Sequence, residues 1–230
     1  MPRRTCAPKA CGCSKTRTPE VKAVRFSLSG YREQDWMRNV PLYAISCKGL
    51  WRWNMDYEIR SIKQDEYPLL EDFLYEAIFV PEDFEGEVPR SVIYDDPKCR
   101  AAFEGFGALP DDRALVASVG GEVVGACWVR TTDEYGHIDG VTPSFSISLY
   151  KPHRGQGIGT AMMHVMLDEL REAGYARASL SVQKENPALR LYERLGFRIV
   201  GDGADETEWL MVIDLSTGSM RTAGMASPTA

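Results

Sequence analysis

One turn constrains this chain more than any other feature: Arg154-Gly155-Gln156-Gly157-Ile158-Gly159. Before it, Phe145 to Tyr150 alternates apolar and polar residues with period two, which predicts a strand. After it, Ile158, Met162, Val165, Met166, Leu170 and Ala173 share one face of a predicted helix from Ile158 to Ala173. A Gly-rich turn from strand to helix leaves backbone N–H groups unpaired where the helix starts. Those donors and the helix dipole suit an anionic oxygen such as a phosphate. Glycines let a large ligand approach the backbone, and Arg154 can add a charge-assisted bond to the same anion.

The spacing excludes two familiar phosphate loops. In G-x-G-x-x-G the last glycine falls one residue later than Gly159, and a Walker loop needs a Lys where Gly159 is followed by Thr160. What remains, R-x-x-G-x-G, is similar to the pyrophosphate loop of acetyl-CoA-dependent acyltransferases. Taken alone it also fits a Gly-rich turn that holds no ligand. A second stretch follows the predicted strand Ala178 to Val182. In Asn186-Pro187-Ala188-Leu189-Arg190-Leu191-Tyr192-Glu193-Arg194-Leu195-Gly196-Phe197, Asn186 reads as an N-cap, Pro187 as the first helical residue and Gly196 as the residue past the helix end. In this order and spacing the two stretches resemble the GNAT superfamily of N-acetyltransferases, over roughly Tyr57 to Leu215. Leu74 to Phe79, Tyr135 to Asp139 and Ser179 to Gln183 are most similar to a bacterial subgroup of it.

The resemblance implies an α/β (α+β) fold, the acyl-CoA N-acyltransferase fold. Its sheet is mixed, mostly antiparallel and twisted, of about seven strands, with helices on both faces and a splay between the two central strands. It implies acetyl-CoA as co-substrate and a primary amine as acceptor, with no metal. Backbone groups of Ile147 and Leu149 would run along the pantetheine arm, and Asn186 would contact that arm. Arg154, Gly155, Gln156, Gly157, Ile158, Gly159 and Thr160 would hold the pyrophosphate. Tyr192 would be the general acid that protonates the departing thiolate; a tyrosine with an ordinary pKa of about 10 carries that proton at neutral pH. A core aromatic on a helix face is the other reading of Tyr192. The base varies within the superfamily. Glu134, His137, Asp139 and Glu76 are the candidates, His137 and Asp139 being two apart and on one side if their segment is extended. A polar loop whose groups cap turns explains Glu134, His137 and Asp139 as well. A protein N-acetyltransferase and a non-catalytic acyl-CoA sensor on the same fold are the alternatives in function.

Charge bears on the acceptor. Residues 1–54 carry 11 Lys/Arg against 3 Asp/Glu, whereas residues 55–230 carry 16 against 30, so a basic extension precedes an acidic domain. An acidic domain favours a small cationic acceptor over nucleic acid. Glu76, Glu82, Asp83, Glu85 and Glu87 would crowd the wall that the first two helices form in the family, although a solvated acidic loop has the same composition. No apolar run is long enough to span a bilayer. The resemblance leaves a homodimer open.

Three regions follow: a basic extension, 1–54; the acetyltransferase domain, 55–215; and a tail of small polar residues, 216–230, predicted to be disordered. The extension reads as a disordered tail, an organellar transit peptide or a stretch upstream of a start at Met55, with Trp36, Trp51 and Trp53 able to dock. Cys6, Cys11 and Cys13 lack a fourth metal ligand at a usual spacing. Cys47, Cys99 and Cys127 read as reduced core thiols, consistent with cytoplasm, and Cys127 alternatively as an acyl-carrying nucleophile.

Within the domain, the first strand is expected at Tyr57 to Ile62. A helix capped by Asp65 follows and is ended by Pro81, then an acidic loop over 81–95. A short helix opens at Asp96-Pro97, and a hairpin turns at Gly120-Gly121. Phe197 to Val200 and Glu208 to Leu215 close the sheet.

Overall fold

The structure, a computed structural model, describes residues 24–26, 56–81 and 84–216. The expectations for the rest of the extension and for the tail, including Cys6, Cys11, Cys13, Cys47 and the three tryptophans, lie outside the described residues, as do Glu82 and Asp83.

Among the described residues, eight strands form one sheet in the order β1-β2-β3-β4-β5-β6-β8-β7. They are β1 (Val24–Phe26), β2 (Tyr57–Ser61), β3 (Arg113–Val119), β4 (Glu122–Arg130), β5 (Ser144–Leu149), β6 (Arg177–Gln183), β7 (Arg198–Asp202) and β8 (Glu208–Asp214). The seven from Tyr57 onward are the expected sheet, and β1 adds an eighth by pairing antiparallel with the outer edge of β2. Among the described strands every pairing is antiparallel except β5 with β6. A parallel pair needs a crossover, which α4 (Ile158–Glu172) supplies.

Side-chain alternation divides the core into two layers. Leu115, Ala117, Cys127 and Val129 face α4 and α5 (Leu189–Leu195), where Met162, Met166 and Leu170 pack on them. Ala114, Val116, Ala126 and Trp128 face the opposite layer of α1 (Leu69–Ala77), α2 (Val92–Asp95) and α3 (Pro97–Phe103). Boundaries on the α1–α3 side differ from the sequence reading. Pro68 has no N–H to donate to an earlier carbonyl, so the first helical segment breaks into a 3-10 turn at Gln64–Glu66 and α1 begins only after the proline. Within 81–95, read as loop throughout, Val92–Asp95 winds into α2 because Ile93 is drawn into the core.

The end of α3 is fixed by residues of β4 and the segment after it. Arg130 donates from Nη1 to the carbonyls of Ala101 at 2.9 Å and Glu104 at 2.8 Å. Trp128 Nε1 donates to Ala102 O at 2.8 Å, and Thr132 Oγ1 to Ala101 O at 2.8 Å. Carbonyls at a helix end have no partner within the helix, so a buried cation satisfies both their bonds and the dipole. Arg130 is itself buried and paired through Nε with Asp112 Oδ1 at 2.8 Å. Removing one member of a buried pair leaves the other charge uncompensated, which typically costs about 3–5 kcal/mol. Asp112→Asn is therefore expected to lower unfolding free energy by about that amount in urea titrations. A loss under 1 kcal/mol would show that Arg130 is held by the α3 carbonyls alone.

Candidate active site

The site is a gap in the sheet. β5 and β6 meet at a single pair, Ser144 opposite Ser179, supported by Ser179 N–H bonding to Pro143 O at 3.0 Å. Beyond it the strands part, while β5 remains paired to β4 along its whole length from Ser144 to Leu149. Tyr150 N–H bonds to Val124 O of β4, so by the two-residue alternation the backbone groups of Ile147 and Leu149 point the other way, into the gap. Leu149 O takes a bond from Arg154 Nε at 2.7 Å.

At the end of β5 the chain makes the glycine turn. Gly155 and Gly157 have φ of 73° and 84°, conformations that side chains with a Cβ rarely adopt, and a Cβ at either would meet nothing within 4 Å. Six successive N–H groups, Gly155 to Thr160, find no acceptor among the described residues; the first helical bond of α4 runs from Ala161 N–H to Gly157 O. Gly159 serves packing instead: a Cβ there would lie 3.2 Å from Leu149 Cδ1. The result is an open, N–H-lined cradle at the start of a 15-residue helix, a geometry that fits a phosphate group. The Arg154 guanidinium reaches back to Glu76 at the end of α1, donating from Nη2 to its carbonyl at 2.9 Å and its carboxylate at 3.0 Å.

The gap has two unlike faces. Toward α4 and α5 it is apolar: Phe145, Ile147 and Leu149 from β5, and Ala178, Leu180 and Val182 from β6. Tyr192 lies on this side. Its helix ends in a paired-bond cap: Gly196 is left-handed at φ 102°, its N–H bonds to Glu193 O, and Phe197 N–H bonds to Tyr192 O at 3.0 Å. The Phe197 ring stands edge-on to the Tyr192 ring at 6.1 Å, the apolar contact such a cap favours. The Tyr192 hydroxyl makes no hydrogen bond among the described residues, and burial raises its pKa far above the usual tyrosine value. Asn186 Oδ1 accepts from Ala188 N–H at 2.9 Å, so it caps the turn entering α5, which starts at Leu189 rather than Pro187.

Toward α1–α3 the gap is polar, because the alternate residues of both strands are hydroxyls: Ser144, Ser146 and Ser148 on β5, Ser179 and Ser181 on β6. Counting two residues from the Ser144–Ser179 pair puts Ser146 and Ser181 level with each other across the gap. Each carries a carboxylate. Ser146 Oγ lies 3.3 Å from Glu134 Oε2, and Ser181 Oγ donates to Glu208 Oε2 at 2.6 Å. Glu134 is only 4% exposed, its Oε1 has no partner among the described residues, and burial pushes its carboxyl up to about 7. Burial also raises Glu208. Ser144 Oγ, Ser179 Oγ and His137 Nδ1 are buried without hydrogen bonds among the described residues as well. The tight fit of Gly136 holds the loop here, since a Cβ would sit 2.1 Å from Ser144 Oγ and 2.9 Å from Leu180 Cα.

The sequence reading is corrected at three places. His137 and Asp139 do not share a side of an extended segment, because the chain turns at His137 N–H to Glu134 O. Asp139 faces away to the start of β6, accepting from Val141 and Thr142 N–H and pairing with Arg177 at 2.6 Å; these bonds hold its carboxyl well below the usual range, so it cannot serve as a base. Cys127 is fully buried against Met163, and burial drives its thiol pKa up, which removes the nucleophile reading. Glu208 and Ser181 were missed as site residues. The Ser-x-Ser alternation on both strands was a signal for them, legible only once the strands were known to face each other.

Glu134 makes stability depend on pH. Its folded pKa lies above the reference value of 4.5, so the unfolded chain loses this proton more readily. The stabilisation is complete below about 4.5 and is lost as pH rises to about 7, on the order of 3 kcal/mol for such a shift. Glu169 on α4, also raised to about 7 by burial, adds a second step of the same sign. Glu208, also raised, contributes in the same direction, so Glu134→Gln should remove one part of the fall in unfolding free energy between pH 4.5 and 8 and leave the parts due to Glu169 and Glu208. An unchanged profile would mean that Glu134 is not desolvated in solution.

Residues 57–197 match the family model described as Acetyltransferase (GNAT) family. Among curated relatives, N-acetyltransferase 8B of Homo sapiens is 34% identical over 74 residues, 32% of each chain. Mycothiol acetyltransferase of Corynebacterium glutamicum is 31% identical over 90 residues, 39% of this chain and 29% of that one. The matched stretch thus covers about a third of these relatives. Among solved structures, yncA, a putative acetyltransferase from Salmonella typhimurium with its cofactor acetyl-CoA, superposes with a TM-score of 0.50 at 19% identity, covering 74% of this chain and 99% of that one. The GNAT domain of S. lividans PAT gives a TM-score of 0.50 at 16% identity, covering 70% and 92%. The family match spans more than half of the sequence, including the glycine turn and the Tyr192 helix, and the chain belongs to the GNAT acetyltransferase family.

Proposed function

We propose that the protein transfers an acetyl group from acetyl-CoA to a small cationic primary amine. The observation that carries this reading is the placement of unlike chemistry on the two faces of one gap: a protonated phenol on one side and two desolvated carboxylates on the other. The unpaired N–H groups of Gly155 to Thr160 would hold the pyrophosphate, and the backbone of Ile147 and the N–H of Leu149, which β6 leaves unpaired, would align the pantetheine arm. Arg154 would either exchange Glu76 for the pyrophosphate or stay as a brace. That yncA is described with acetyl-CoA supports the cofactor assignment.

The amine enters from the hydroxyl-lined face. Glu134, with its carboxyl near 7, takes the ammonium proton and leaves a neutral nucleophile. The nitrogen lone pair forms the C–N bond as the C–S bond breaks, and a backbone N–H of β5 faces the carbonyl oxygen as it gains charge. Tyr192, on the opposite face, would give its proton to the departing thiolate, the second proton of the attacking nitrogen would leave to solvent as the amide forms, and Tyr192 would regain a proton from solvent. Burial disfavours the phenolate, so Tyr192 carries its proton at neutral pH.

Gly157→Glu should weaken acetyl-CoA binding by at least 10²-fold in calorimetry, since it puts a Cβ at a left-handed position and an anion in the cradle. Wild-type affinity would refute the cradle. Tyr192→Phe keeps the ring packing and should lower kcat by about 10²-fold without changing acetyl-CoA affinity or Tm. A silent kcat would leave Tyr192 as a core aromatic and solvent as the proton source. In the wild type kcat/KM should rise with pH up to about 7 as Glu134 ionises, and Glu134→Gln should abolish that limb.

A further inference from the structure

A primary ammonium must lose two protons to become an amide, one before attack and one after the C–N bond forms. Glu134 takes the first. Once protonated it cannot take the second, and its burial slows its discharge to water. The foot of the polar face offers no exit among the described residues. Ser144 and Ser179 are buried there as the one register pair of β5 and β6. Gly136 closes over them, its position lacking room even for a Cβ beside Ser144 Oγ.

The next level of the same face is built as an outlet. Ser181 stands level with Ser146 across the gap and donates from Oγ to Glu208 Oε2 at 2.6 Å. Glu208 opens β8, and the four residues before it, 204–207, form an exposed turn. Gly203 brings that turn down onto the pair. Its N–H bonds to Glu208 O at 2.9 Å, and a Cβ there would fall 2.6 Å from Glu208 Cβ and 2.9 Å from Ser181 Oγ. The Glu208 carboxylate therefore has a hydroxyl of the gap on one side and the backbone of Ala204, in the exposed turn, on the other. The titratable groups around it are Asp96 and Cys99 of α3, Tyr135 of the loop before β5 and Asp205 of the turn. None of these is a cation, and Lys184 nearby is bound to Asp202 at 2.8 Å and lies over the Trp209 ring. A carboxylate locked to a cation accepts protons poorly; Glu208 has no such partner among the described residues, and burial favours its protonated form.

Building on the acetyl-transfer reading, we propose that Ser181 and Glu208 carry the second proton of the attacking nitrogen out of the gap. When the lone pair has closed the C–N bond, the nitrogen is positively charged and still bears two hydrogens. One passes to Ser181 Oγ as the Ser181 proton moves along its existing bond to Glu208 Oε2. The C–S bond breaks, and the thiolate takes the proton of Tyr192. Glu208, now a neutral acid, returns its proton to water at the 204–207 turn. Two protons leave by Glu134 and Glu208 and one returns to Tyr192, so one is released per turnover. Ser181 touches the substrate, and Glu208 acts through it.

Full-length protein is assayed with saturating acetyl-CoA and whichever of propylamine, putrescine and lysine amide turns over fastest. Glu208→Gln keeps the side-chain volume and an acceptor for Ser181 but cannot take a proton. It should lower kcat by about 10- to 100-fold, leave acetyl-CoA affinity unchanged, and regain kcat as formate is added, because a small carboxylate can stand in for the missing one. Wild-type kcat should not respond to formate. Ser181→Ala should lose about as much as Glu208→Gln, and the double variant no more than either, since both residues serve one path. A kcat within about twofold of wild type in Glu208→Gln, a loss that formate does not restore, or additive losses in the double variant would overturn the relay and leave the transfer reading standing. Failure of the wild type to acetylate any of the three amines would overturn the transfer reading and the relay with it.

Discussion

The structure depends on two parallel strands that touch at one residue pair and then part. In a closed sheet the N–H and C=O groups of Ile147 and Leu149 would be spent on β6. Here β6 takes its pairing from β8, along its full length from Arg177 to Gln183, and β5 takes its own from β4. Each strand is held from its outer side, so the sheet stays intact while a slot opens in its middle. An opening of this kind supplies backbone donors and acceptors that are fixed before any ligand arrives, and so need no reorganisation when charge develops.

Close approach keeps the slot in shape. Gly159 lets α4 settle against Leu149, which directs the N-terminus of that helix at the head of the slot. Gly136 lets the loop between β4 and β5 press between Ser144 and Leu180 at its foot. Arg154 joins the end of β5 to the end of α1, tying the glycine turn to that helix.

The chemistry follows from sheet alternation. Successive side chains on β5 and β6 point to opposite faces, which puts apolar residues and the phenol of Tyr192 on one side and hydroxyls with two carboxylates on the other. The phenol and the two carboxylates are thus separated by the thickness of the sheet. Burial does the tuning: it raises Glu134 into the range where a carboxylate can exchange protons at neutral pH, and it holds the Tyr192 proton firmly.

Patterns spanning a few residues were legible in the sequence. The change from period two to period 3.6 around Gly155-Gln156-Gly157, the capping Asn186 and the left-handed Gly196 each depend on neighbours in the chain, and those suffice to determine a turn, a helix start and a helix end. The family resemblance rested on the same local features and carried the fold with it. What sequence could not decide was which charges meet. Glu134 meets Ser146 across 12 residues, Ser181 meets Glu208 across 27, and Arg154 meets Glu76 across 78. Asp139 looked like a companion of His137 and instead clamps the start of β6, while Cys127 looked available and lies wholly buried. A side chain's partner and its access to water are properties of the packed sheet, set by strand order and register. Proton affinity, which depends on both, was therefore decided only by the tertiary structure.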